Sequence, residues 1–140
     1  MKINQLLFLG AILLLFSCSS EKKSEQVLMD EVIAIHDEVM PEMGTLHKLS
    51  GKLRQTADSL LVLDSATNTD VSKQLQDLSL TVELANESMM NWMREFEQPS
   101  EEMSHDDVMK YLQEQKTAIS AVKANMITAK SDAEKALSRY

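Results

Sequence analysis

Glycine and proline are close to missing, with three and two in 140 residues. A sheet protein needs turn punctuation about every 8–12 residues, so the scarcity excludes an all-β chain. Cysteine occurs once, at Cys18, which rules out any disulfide within the chain and any thiolate zinc spacing. Basic residues are outnumbered 14 to 22, leaving a formal charge of −8. Nucleic acid demands basic patches that neutralise phosphates, so it is excluded as a partner, and cationic partners are favoured. No nucleophile elbow or phosphate loop is present, and no paired titratable groups suggest catalysis. The expectation is a protein that is not an enzyme.

Long apolar runs are also wanting. The longest, "LLFLGAILLLF" from Leu6 to Phe16, has eleven residues. A membrane-crossing helix needs about 20. Eleven is the length of a secretory core segment, and Lys2 supplies the positive start such segments carry. "LFSC" follows, with Leu15 three before Cys18 and small Ser17 directly before it. This resembles a bacterial lipobox, with Phe16 departing from the smaller residue usual there. The resemblance implies a signal peptide over residues 1–17, cleavage before Cys18 and lipid on its thiol and new amino group. The lone cysteine fits, because a bare thiol is a liability in an oxidising compartment. Acyl chains contribute about 0.8 kcal/mol per buried methylene and would hold the chain on a lipid membrane. "SSEKKSEQ" is polar and reads as a tether, with residues 18–23 set apart from a bundle domain over 24–140. "SSEKK" carries no acidic run of the kind that argues for surface export. The placement expected is therefore the cell envelope, at the outer membrane facing the periplasm.

What the chain has in plenty is helical apolar periodicity. Val71, Leu75, Leu78, Val82, Ala85, Met89, Trp92 and Phe96 follow alternating spacings of four and three. Val108, Leu112, Gln115, Ile119, Val122, Met126, Ala129, Ala133, Ala136 and Tyr140 do the same. Such a repeat means coiled-coil-like, knobs-into-holes packing. Leu28, Val32, Ile35, Val39, Met43, Leu46, Leu49, Leu53, Ala57 and Leu60 form a third stripe whose phase does not slip at Pro41. Helices are predicted over about 24–63, 70–97 and 104–139, separated by "SATNTD" (65–70) and "QPSEEMS" (98–104). Asn68 or Thr69 would cap the second helix and Ser104 the third. The fold class is all-α: an antiparallel up-down-up bundle of three long helices, the first kinked at Pro41. A true break at Pro41 would give four helices, which is the alternative.

"HDEVMPEMGTLH" carries the unusual chemistry. His36, Met40, Met43 and His47 share one stripe beside the leucine seam, spaced four, three and four. If Leu63 sits opposite Val71, then Met89, Trp92 and Met93 lie level with positions 45, 42 and 41. Met90, Met103, Met109, His105 and Tyr111 are expected in the same region. Three chemistries compete for this cluster. Thioethers fill irregular gaps, such as those at a proline, and touch aromatic edges favourably. Thioethers with imidazoles also select soft ions such as copper(I), whose ligands would come from His36, Met40, Met43, His47, Met89, Met90 and Met93, with Trp92 adding a cation–π face. A haem or small apolar ligand is the third option. Glu102-x-x-His105 matches half of a di-iron signature, without a second half. His36, Asp37 and Glu38 are consecutive and are expected to point apart, unable to form a dyad.

The segments "HDEVMPEMG" (His36 to Gly44) and "MMNWMREF" (Met89 to Phe96) resemble those of small lipoproteins of Bacteroidota, typically flavobacterial. These are often labelled "viral A-type inclusion protein". The resemblance covers most of the chain after Cys18 and implies no established activity. The reading is thus a membrane-anchored, non-catalytic binding or structural module, whose partner is an envelope protein or a soft metal ion.

Overall fold

The computed structural model describes the backbone of residues 3–140 and the side chains from Ser20 onward. The side chains of Cys18 and of the apolar run before it, where lipid attachment is expected, lie outside those described. The chain forms α1 (Ile3–Val39), one 3-10 turn (Met40–Glu42), α2 (Met43–Leu63), α3 (Ser65–Glu95) and α4 (His105–Leu137). No strand occurs among the described residues, and no helix among them is long and apolar enough to cross a membrane.

The fold is an all-α helical bundle of three rods, α1 and α2 forming one of them. Pro41 lacks the N–H that would bond back to the preceding turn. The backbone answers by tightening into a 3-10 turn, with Val39 (φ −106°, ψ −18°) and Met43 (φ −54°, ψ −42°) both helical. The chain therefore continues in its original direction. α1 packs along α4, α2 along α3 and less extensively along α4, and α3 along α4. α3 runs antiparallel to the first rod: Ser50 meets Ser79, and further down His36 meets Trp92. α4 runs parallel to α1, with Lys116 on Glu31 and Lys123 on Glu38 one heptad later. Lys130 reaches Glu42 at 2.7 Å and extends the ladder through the 3-10 turn. These half-exposed surface pairs contribute little energy but fix the offset of the two parallel helices.

Two helix boundaries differ from expectation, the second with its cap. The polar stretch read as a tether is helix from Ser20 at the latest, with the Ser24 hydroxyl donating to the Glu21 carbonyl at 2.7 Å. Glu, Lys, Gln and Ser without a glycine or proline offer nothing to stop a helix. "SATNTD" is not a link but the start of α3. Asp64 alone (φ −160°, ψ 100°) turns the chain, so neither Asn68 nor Thr69 is the cap. The Asp64 carboxylate accepts from the Ala66 and Thr67 amides and the Thr67 hydroxyl. Asn68 instead donates to the Leu60 carbonyl, closing the end of α2. Ser104 does cap α4, accepting from the Asp107 amide at 3.3 Å.

The hydrogen bond from the Thr67 side chain, with those from the Thr67 and Ala66 amides, holds the Asp64 carboxyl below its usual value, against a small effect of burial. A carboxyl depressed in the folded state adds stability above its unfolded pKa of about 3.9, and that stability is lost as pH falls through the folded value. Asp64→Asn keeps a capping oxygen but cannot titrate. Its melting temperature is expected to fall less than the wild type's between about pH 5 and about pH 2. Equal falls would show that the corner carries no acid sensitivity.

The apolar seams form one main core that includes Val32, Val39, Leu46, Leu53, Val82, Met89, Ile119 and Met126. A smaller cluster of Leu28, Val108 and Leu112 sits near the start of α1's described part. Between α2 and α3 the packing turns polar. Ser50 and Ser79 are buried, the Ser79 hydroxyl donates to the Ser50 carbonyl (3.0 Å), and the Ser50 hydroxyl donates to Glu83 (2.8 Å). Small side chains here let the two helices approach closely. Gly51 is exposed in mid-helix, and an added Cβ would meet nothing within 4 Å. Gly51→Ala is expected to stabilise the fold by about 0.5–1 kcal/mol in urea unfolding; a loss would show that the glycine has a packing role.

Candidate functional site

The C-terminal end of α3 meets the first rod at His36, about a turn before the proline turn and at a different level than the loop-based count gives. Trp92 packs on His36, with ring centroids 5.7 Å apart and planes inclined by 32°. The expected level was position 42. The shift follows from the corner: residues 65–70 are helix, so α3 begins earlier and every residue on it sits lower.

Trp92 continues a column of rings that joins all three rods. Phe96 stacks on it at 4.8 Å, and Tyr111 of α4 lies 6.3 Å beyond Phe96. The Tyr111 hydroxyl donates to the Glu97 carbonyl (2.7 Å) and accepts from the Glu97 amide (3.1 Å), clasping the end of α3. The indole Nε1–H of Trp92 donates to Gln115 Oε1 at 3.0 Å. That explains the one polar residue in the α4 seam: a buried indole needs an acceptor.

His36 itself is half-buried, and its Nδ1 lies 2.8 Å from Asp37 Oδ1. This corrects the expectation that neighbours on a helix cannot pair. Nδ1 lies near the backbone, and the exposed Asp37 carboxylate swings round to reach it. The pair stands at the bundle surface beside the indole.

The remaining candidates are divided among different environments. Met89 is wholly buried in the main core, and Met43 and Met93 pack against its edge. Met40 and Met90 are each 45% exposed. His47 is exposed and shares with Met90 a groove between α2 and α3, about 320 Å³ in volume, that also holds Glu83, Asn86 and Arg94. The side-chain oxygen Oδ1 of Asn86 is buried there without a hydrogen-bond partner. His36 and Met89 do not line this groove. Among the described residues, no three His, Cys, Asp or Glu side chains come together as a metal cage.

A second groove went unnoticed in the sequence. It lies between the early part of α1 and the segment joining α3 to α4, holds about 530 Å³, and is lined by Glu25, Met29, Met103, His105 and Leu112 among others. His105 Nδ1 is 2.7 Å from Glu25 Oε1. The hydrogen bond to Glu25 raises the imidazole pKa against an opposing effect of burial, with Glu21, Glu25 and Asp106 adding through their charge. The two partners are 80 residues apart in the chain, so only the parallel placing of α1 and α4 reveals the pair.

Comparison with protein-family models, with curated proteins and with solved structures finds no match for the chain.

Proposed function

We propose that the chain is a lipid-anchored, extracytoplasmic helical-bundle module of the cell envelope that binds or supports rather than catalyses. The observation that carries this reading is the eleven-residue apolar run closed by Leu15, Phe16, Ser17 and the only cysteine, Cys18. The bundle supports it, because its first buried core residue, Leu28, follows Cys18 by ten positions. Ten helical residues rise about 15 Å, so a lipid on Cys18 would hold the Leu28 end of the bundle near the headgroups. Several acyl chains give stable attachment where a single one is marginal. The default placement remains the outer membrane facing the periplasm.

The test uses the full chain made in a bacterial host fed an alkyne-tagged fatty acid. Wild type is expected to carry the label and sediment with membranes, and Cys18→Ser to lose both. A wild-type chain without label, or a Cys18→Ser chain that still carries it, would overturn the reading.

A further inference from the structure

The groove beside His105 has the parts of a soft-metal site. An ionised carboxylate can only accept hydrogen bonds, so with Glu25 on Nδ1 the neutral imidazole carries its proton there. The lone pair then resides on Nε2, which makes no hydrogen bond among the described residues. Metal-binding histidines have this arrangement: one ring nitrogen anchored to a carboxylate, the other free to ligate. Two thioethers line the same groove. Met29 comes from α1, and Met103 from the segment before α4, where it is 36% exposed at the lip rather than packed in a core. Methionine has three rotatable bonds, which leaves the exposed Met103 free to turn its sulfur into the groove, while Met29 lines it from its place against the Leu28 cluster.

We infer that Met29, Met103 and His105 form a binding site for copper(I), with Glu25 positioning the imidazole. Thioether and imidazole donors select this soft ion over magnesium or zinc, which take harder or thiolate ligands. Three carboxylates around the groove, those of Glu21, Glu25 and Glu101, outnumber the single ammonium of Lys22 and favour a cation over an anion. Neither of the other histidines is so equipped. His36 is stacked on Trp92 with its Nδ1 on an exposed carboxylate, and His47 shares its groove with a single thioether, that of Met90. The inference deepens the proposed binding role by giving it a ligand, and it is tested where lipid attachment plays no part.

The experiment uses the full chain with Cys18→Ser, which removes a thiol that would itself take copper(I). Copper(I) is offered from a chromophoric chelator under anaerobic reducing conditions at about pH 8, above the ordinary imidazole range. The chain is expected to withdraw one equivalent. Met29→Leu and Met103→Leu preserve volume closely, and each is expected to weaken binding about 10–100-fold, as is Glu25→Gln. The triple change Met40→Leu, Met43→Leu, His47→Gln is expected to leave affinity unchanged. Failure to withdraw copper, full affinity in the Met29→Leu/Met103→Leu double variant, or loss in the triple variant would each overturn the assignment. Thermal melts of the metal-free leucine variants, expected to match the parent chain, check that the fold is intact.

Discussion

Met89→Ala is expected to destabilise the bundle by about 2–5 kcal/mol, while Met40→Ala and Met90→Ala stay within about 0.5 kcal/mol of wild type. The three thioethers belong to the two signature segments, yet the fold treats them differently. Met89 has no exposed surface and sits in the main core with Val39, Val82 and Ile119. Truncating it removes transfer free energy and leaves a cavity that three packed rods cannot close. Met40, beside Pro41, and Met90, at the lip of the α2–α3 groove, are already half in water. Urea unfolding of the full-length variants followed by circular dichroism checks all three. Similar costs at all three positions would mean that the methionines act as one packed unit, contrary to the burial described above.

Trp92→Ala carries the larger effect, about 3–5 kcal/mol. The indole is 8% exposed and touches every rod: its own helix through Phe96, the first rod through His36, and α4 through Gln115. Its loss removes both buried area and the middle of the ring column. Gln115→Leu separates the two contributions. It keeps the apolar contact but leaves the indole N–H without its acceptor, a penalty of about 1–3 kcal/mol. Trp92→Phe is expected to cost less than Trp92→Ala, because a ring remains between His36 and Phe96. Thermal unfolding by circular dichroism ranks the three; a Gln115→Leu variant as stable as wild type would show that the indole proton is satisfied elsewhere.

The seams were legible in the sequence because burial in a bundle is periodic. Val32, Leu46, Leu53, Leu75, Val82, Leu112, Ile119 and Met126 all lie on the predicted stripes and are all buried. Gln115 lies on the predicted α4 stripe, but the partner that justifies a polar side chain there, Trp92, comes from another helix. The signature segments meet more than a turn from the level the sequence predicts, because "SATNTD" has the composition of a turn yet is helix. Asp64 outcompetes the later candidates as cap, since Thr67 places both an amide and a hydroxyl on its carboxylate. Ser50 and Ser79 could not be recognised as interior residues, since nothing local distinguishes a buried serine from an exposed one. The His105–Glu25 pair was equally hidden, for it depends on the parallel offset between α1 and α4.

α1 and α2 form one rod through Pro41, and that continuity sets every level at which the helices meet. Spin labels at Gln26→Cys and Ser59→Cys, both exposed positions, test it in a Cys18→Ser chain by dipolar distance measurement. A rod rising about 1.5 Å per residue places the labels about 50 Å apart. A distance of about 10–20 Å, that of helices lying side by side, would mean that the chain folds back at the proline and would contradict the arrangement.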